Sequence, residues 1–435
     1  MPADSLRTFF GVLEGLRPAF TAASFPLLLT ILTGWLCTTE RHTLSEALVA
    51  SGVSATRDHS CFYRFFSRGT WDPDALGKLV FAALLTVLDP NAPLSLVLDD
   101  TLAHHKGPHV FGLGTHLDAV RSTRRTKVFT FGHVWVVLAV VIPVPWSRRS
   151  FALPVLMRLY RNEKDAQRAG LEHKTRTALG REMLALVQRW CEELAPGRLV
   201  GLAIDSGYAN GTVLGSELGP LTVVASMRPD AALGRGKAKS SPKERAEDPS
   251  WAWQWTDAWL YGRWCRVQYK TWVASWPHVL GDRSLRIVVV RCETGSLPLR
   301  VFFSTETAAS ARAVLEYYAG TRWPIECTFR DLKQYLGFSD PAVRTQHAVL
   351  RIAPLLGLTY SLLVLWSVRA ELNVEKAVLP QRPWYRHKHH LSFPDVLRSA
   401  RKMLETGDLL ALDRDAHRNA NAPLPHATPQ RKRAA

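Results

Sequence analysis

Cysteine is scarce in this chain and unorganised. Six are spread over 435 residues, at Cys37, Cys61, Cys191, Cys265, Cys292 and Cys327, with no CxxC pair and no His-x3-5-His at zinc-finger spacing. That pattern excludes a disulfide framework and a zinc module, and it reads as reduced, mostly buried thiols of a cytosolic protein. The opening MPADSLRTFF has no basic segment followed by an apolar run, so no secretory signal is expected. No apolar run reaches the roughly 20 residues of a bilayer span. The longest, Val134–Trp146 and Ala353–Trp366, read as a buried strand and a core helix, so no membrane is expected as a partner. Internal repeats are absent. Acidic residues are also in short supply, 38 against 55 Lys+Arg, which leaves a formal surplus of +17. A polyanion is therefore the first partner to expect. What is present is a 47% hydrophobic composition, enough for a large core and incompatible with wholesale disorder.

The length suits about three domains. Residues 1–90 carry helical periodicity, and between Phe25–Leu36 and Ala75–Leu88 lies a helix–turn–helix stretch. It opens with a capping-box-like Thr43-Leu-Ser-Glu, breaks at Gly52, and carries Arg41, Arg57, Arg64 and Arg68. This segment is expected to be a helical DNA-binding domain, although small helical bundles without that role share the pattern. From residue 94 strands alternate with helical stretches, among them a long amphipathic helix over Asp165–Leu194, and residues 308–370 are helical again. This pattern argues for a mixed α/β sheet. Pro229–Ser250 is polar and reads as a mobile loop. Trp251–Trp276 holds seven of the fifteen tryptophans, and the alternation at Trp251, Trp253 and Trp255 suits strands. The region from Arg382 onward carries +6, and after Asp415 it reads as disordered. Residues 116–161 carry +7, in keeping with a surface that tracks a nucleic-acid backbone.

Two apolar runs end in aspartate: Val97-Leu98-Asp99-Asp100 and Ala203-Ile204-Asp205. Such residues sit at the rim of a sheet, where ligands and metals bind in open α/β folds. Two hard cations held there could clamp the attacking and leaving oxygens of a phosphodiester. Capping of the next turn is the ordinary alternative. Asp99 and Asp100 point to opposite faces, and periodicity does not choose between them. The third element is RWPIECTFRDLKQYLGF (322–338), where Pro324 suits a first helical turn. Glu326, Arg330 and Lys333 share a face, and Ile325, Phe329, Leu332 and Leu336 form the buried stripe. One acid between Arg322 and Lys333 is what a metal-plus-phosphate site needs, though a surface salt-bridge ladder has the same spacing. His133 reads as a satisfied structural histidine.

With VLDDT (97–101), LAIDSGYANG (202–211), FSTE (303–306) and YYAGTRWPIECTFRDLKQYLG (317–337), the chain resembles the DDE transposases of bacterial insertion sequences, in the branch with a Y-R-E-K signature. The resemblance covers roughly 95–370. It implies an RNase H-like core, a mixed sheet flanked by helices, at 91–215 and 296–370. It further implies a β-rich, Trp-rich insertion at 216–295 and a helical N-terminal domain at 1–90, leaving a basic C-terminal region at 371–435. By resemblance Asp99, the first of its pair, joins Asp205 and Glu326 as catalytic metal ligands for two Mg2+ (or Mn2+) ions. Arg322 and Lys333 match the signature's phosphate-binding Arg and Lys. Tyr318 stands one place from the signature tyrosine. The implied partners are terminal inverted repeats and target DNA, with a homodimer pairing the two ends in the bacterial cytoplasm. Two other functions share these residues, a domesticated inactive DNA binder and a plain nuclease. Loss of one acid would mark the first, and none is lost.

Overall fold

The computed structural model describes residues 2–420 except 108, 119, 124, 216–220, 237–238, 292–298, 383 and 385–387. Cys292, His387 and the expected disordered segment beyond 420 lie outside the described residues. The other five cysteines are free; Cys191 and Cys327 are buried and the remaining three half-buried.

The chain opens with helices α1 (Pro2–Glu14), α2 (Ser24–Cys37), α3 (Leu44–Ala50), α4 (Ser60–Ser67) and α5 (Pro73–Leu85). The Thr43 hydroxyl accepts the Glu46 N–H to start α3, and Gly52 leaves it at a positive φ. The expected helix–turn–helix is thus α3 and α4, with Arg41, Arg57, Arg64 and Arg68 exposed.

Next come β1 (Leu94–His104), β2 (Gly114–Leu117), β3 (Phe129–Ile142), β4 (Phe151–Tyr160), α6 (Glu163–Arg168), α7 (Arg176–Leu194), β5 (Val200–Ile204), α8 (Gly211–Leu214) and β6 (Leu221–Met227). They are followed by α9 (Pro242–Glu247), β7 (Gln254–Leu260), β8 (Arg263–Trp276), α10 (Pro277–Leu280), β9 (Gly281–Arg291) and β10 (Arg300–Ser304). The chain continues through α11 (Ala311–Tyr335), α12 (Gln346–Arg369), α13 (Phe393–Thr406) and α14 (Leu409–Ala420). Among the described residues all ten strands join one sheet, ordered β2-β3-β1-β5-β6-β10-β9-β8-β7, with β4 also on β3. At its centre an antiparallel meander, β4-β3-β1, meets two parallel strands, β5 and β6. This is the RNase H-like arrangement. Helices cover both faces, so β3 from Val134 to Ile142 and β4 from Phe151 to Met157 are apolar and buried on both sides instead of alternating. Helices α11 and α12 lie on the Asp99 face; α5 and α7 lie on the Asp100 face.

Several expectations change. The helix expected over 165–194 is broken into α6 and α7, and the loop expected at 229–250 contains α9, capped by Ser241 and Glu244. Pro324 does not start a helix: α11 runs from Ala311 straight through it. The carbonyl that proline leaves without a donor belongs to Gly320. The insertion boundary expected at 216 falls inside the core, because β6 pairs with β5. Beyond β6, strands β7–β10 extend the same sheet and form no separate layer. Residues 409–420, partly within the stretch expected to be disordered, are helical. Helix α12 is longer than its apolar stripe suggested and apolar enough to cross a membrane, but 89% of its most apolar window is buried inside the protein.

Nor do the N-terminal helices form a core of their own; their apolar residues merge with those of the sheet. Gly77 of α5 lies against β4 so closely that an added Cβ would stand 2.1 Å from the Val155 carbonyl oxygen. Alanine normally favours a helix over glycine by about 1 kcal/mol. Here the clash wins, and Gly77→Ala should lower unfolding free energy by about 1–3 kcal/mol in a urea titration.

Candidate active site

The register of β1 and β5 brings the strand-end aspartates together. Leu98 lies opposite Ile204 in the parallel pair, so Asp99 and Asp205 are the next neighbours outward, on strands about 4.8 Å apart. Asp205 ends its strand in a turn: its Oδ1 accepts the N–H groups of Gly207 at 2.9 Å and Tyr208 at 3.2 Å.

Helix α11 supplies the third wall. Arg322 is partly buried, with Nη2 2.8 Å from Asp99 Oδ2 and Nη1 3.2 Å from Glu326 Oε1. Its guanidinium therefore joins the acid on the sheet to the acid on the helix. Its Nε is buried without a hydrogen-bond acceptor. A buried donor left over is free to take an external oxygen, and a guanidinium suits a phosphate in particular.

Asp100 faces the other way. Its Oδ2 accepts from Arg176 at 2.9 Å and its Oδ1 from the Tyr208 hydroxyl at 2.9 Å. The structure thus separates the two neighbours: Asp99 joins Asp205, Arg322 and Glu326, while Asp100 is tied to α7. Tyr208 links both strands, through its N–H to Asp205 and its hydroxyl to Asp100. Sequence reasoning singled out neither Tyr208 nor Arg176. The only signal was the position of Tyr208 three residues after Asp205, where a buried turn residue is common.

Burial pushes the Asp99 carboxyl up to about 8; Arg322 pulls it down, and Asp205, Asp100 and Glu326 push it up further. A carboxyl held out of its charged form by burial and neighbouring acids would be relieved by a cation. Among the described residues, however, no three acidic, histidine or cysteine side chains gather around one point. Arg322 already holds two of the acids. The donor set, all hard carboxylate oxygens, fits a divalent cation such as Mg2+ by its chemistry.

Tyr318 is one turn before Arg322 on the same face of α11. Burial raises its phenol pKa, and its hydroxyl engages Ser226 within reach of Arg322 and Asp205. Lys333 is exposed as a residue, yet its ammonium is held low by desolvation, against the opposing pull of Asp118 and Glu326. Arg330 does not pair with Glu326; it turns to the buried Asp331 at 2.8 Å. His133 is buried with Nε2 3.0 Å from the Phe111 carbonyl oxygen, as a structural histidine should be.

Residues 15–250, more than half of the chain, match the family described as DDE superfamily endonuclease. The chain belongs to that family. No curated protein matches it. The matched segment of this DDE endonuclease includes β1 and β5 with both aspartates and ends before α11.

Beside the site the endonuclease has an open cleft of about 570 Å³ between the β7–β8 hairpin and α11. Trp259, Tyr261, Trp264 and Trp323 line it with Arg148, Arg149 and Arg312, and all four rings are exposed. Trp259 N–H donates to Glu316 Oε1 at 2.9 Å, which fixes the β7–β8 hairpin against α11. Trp251, Trp253 and Trp272 pack instead around Lys270 and Arg245. Part of the Trp-rich stretch is therefore packing, as expected, and part faces solvent. Trp323 went unnoticed in the sequence because its neighbours Arg322 and Pro324 carried the motif.

Proposed function

We propose that this endonuclease is the transposase of an insertion sequence, cutting DNA at the element's ends and joining them to new DNA. The observation that supports the reading is that Asp99 and Asp205 end neighbouring strands of an RNase H-like sheet, with Arg322 of α11 tying Asp99 to Glu326. Asp99, Asp205 and Glu326 would hold two Mg2+ (or Mn2+) ions. Bound there, such ions would polarise the scissile phosphodiester and activate the attacking oxygen.

The chain's own residues do the rest. Arg322 has a buried Nε–H without an acceptor and a planar fork that suits a phosphate. Lys333 adds a point charge further along α11, and Tyr318 offers a hydroxyl beside Arg322. These groups orient the backbone and offset charge that builds on phosphate oxygens. The exposed rings beside the arginines of the 570 Å³ cleft suit bases and backbone together. Arg41, Arg57, Arg64 and Arg68 in and around α3 and α4, with the basic 116–161 segment, extend the surface for terminal inverted repeats and target DNA. Pairing two ends calls for a homodimer on DNA, working in a bacterial cytoplasm.

Cleavage alone would not separate a transposase from a nuclease on this fold. Pre-cut ends with a free 3′-OH, incubated with plasmid and Mg2+, should yield covalent strand-transfer products. Hydrolysis without joined products would leave a plain nuclease. Binding without nicking in Mg2+ or Mn2+ would indicate a domesticated relative.

A further inference from the structure

The β2–β3 hairpin carries a face that the proposed chemistry does not use. Strand alternation divides it sharply. His116 and Gly132 are buried against the body of the protein, whereas Leu117, Phe129 and Phe131 point outward together. Phe129 is 64% exposed and Phe131 60%. Two adjacent phenylalanines bare to this degree are unusual in a chain that buries every other phenylalanine at least partly.

The location of this face matters. In the β1–β3 register Asp99 lies opposite Val137, Thr101 opposite Trp135 and Ala103 opposite His133. Continuing by twos along β3 reaches Phe131 and then Phe129, so both rings lie on the Asp99 face of the sheet. Six residues separate Val137 from Phe131, roughly 20 Å along the strand. Lys333 lies within electrostatic reach of both Glu326 and Asp118 at the hairpin's tip, so α11 spans the interval.

The tip is held firmly and is basic. Asp118 is buried; its Oδ1 accepts the N–H groups of Val120 at 3.1 Å and Arg121 at 3.0 Å, and its Oδ2 is 2.9 Å from His104 Nε2. Val128 N–H donates to Ser122 Oγ across the turn. Arg121, Arg125 and Lys127, in the turn that leads into Phe129, are all exposed. Cations near bare aromatic rings fit an anionic strand with accessible bases. A second copy of the chain would bring these cations against their own kind.

We propose that Phe129 and Phe131 form a stacking platform for unpaired DNA bases flanking the cut. This rests on the reading that the site acts on DNA. DNA whose strands have separated near the scissile bond would lay its bases on the rings, with Arg121, Arg125 and Lys127 on its phosphates. A fully paired duplex hides its base faces and would gain only the electrostatic part.

The test uses the full chain without divalent metal and two labelled probes: a duplex with a single-stranded thymidine tail and the same duplex blunt-ended. The wild type should favour the tailed probe. Phe129→Ala/Phe131→Ala should lose about tenfold or more of that preference, with an unchanged melting temperature and an unchanged salt slope. Arg121→Gln/Lys127→Gln should instead flatten the slope of log K against log salt by about 1 to 2. Equal affinity of wild type for both probes would overturn the proposal. So would a phenylalanine variant that keeps the preference, or one whose main effect is to turn a DNA-free dimer into a monomer by sedimentation. Glu326→Gln should keep the tail preference while losing cleavage, so failure of this platform and failure of the catalytic reading give different results.

Discussion

Asp99→Asn, Asp205→Asn and Glu326→Gln should each reduce Mg2+-dependent DNA cleavage by roughly a thousandfold or more. Each substitution keeps the shape of the side chain and removes one anionic oxygen from the set. Asp100, the nearest further carboxylate, is engaged by Arg176 and Tyr208 on the opposite face and cannot substitute. DNA affinity in a gel shift should hold or rise, because each wild-type carboxylate repels the phosphate it is meant to approach. Asp100→Asn provides the contrast. It should cost thermal stability through its lost pairing with Arg176, and reduce cleavage far less than Asp99→Asn does. Equal losses of cleavage from the two neighbours, with equal loss of fold, would remove the distinction between them and with it the assignment of Asp99.

The second large effect is on stability. In metal-free protein the Asp99 carboxyl titrates near 8 instead of its ordinary 3.8. The folded chain therefore binds one more proton than the unfolded chain between these values, and stability falls as pH rises through that window. Above about 8 the penalty is complete and the slope vanishes. A cation bound at Asp99 displaces that proton, so Mg2+ or Mn2+ should bind more tightly as pH rises towards 8. Melting curves with and without MnCl2 at pH 6 and pH 8 check both signs. The metal-free protein should melt lower at pH 8, and the metal-induced rise should be larger there. Asp99→Asn should flatten the first trend and abolish most of the second. A metal effect independent of pH would contradict the buried, protonated Asp99.

Much of the site was legible before the fold. Apolar runs that end in acids gave Asp99 or Asp100 and Asp205, and helical spacing put Glu326 and Lys333 on one face. These are short-range properties, and periodicity reads them well. Which aspartate of the pair faces α11 depends on a register between β1 and β5, about 100 residues apart in sequence, and no local pattern contains it. The same holds for the extended sheet. The β7–β8 hairpin was visible in its alternating tryptophans, but its attachment through β9 and β10 to β6 is a long-range pairing. Pro324 misled for a local reason, since the first turn is the commonest helical place for proline. With α11 starting at Ala311, Tyr318 and Arg322 are four residues apart on one face. The displaced tyrosine thus becomes a matter of helical geometry. The broken helix at 169–175 and the short β2 were missed because neither carries a strong periodic signal.

Helix α11 is one unbroken rod of 25 residues. Glu316 grips the β7–β8 hairpin, Arg322 meets both Asp99 and Glu326, and Lys333 lies within electrostatic reach of Asp118. The distance from Glu316 to Lys333 is about 26 Å at 1.5 Å per residue. Every group along the rod is therefore fixed in angle relative to the others. One residue added or removed between Glu316 and Glu326 would turn all that follows by about 100°, swinging Glu326 out of its place while leaving composition almost unchanged. The exposed face of α11 can vary freely in residue type, but the length of the rod between its contact points cannot.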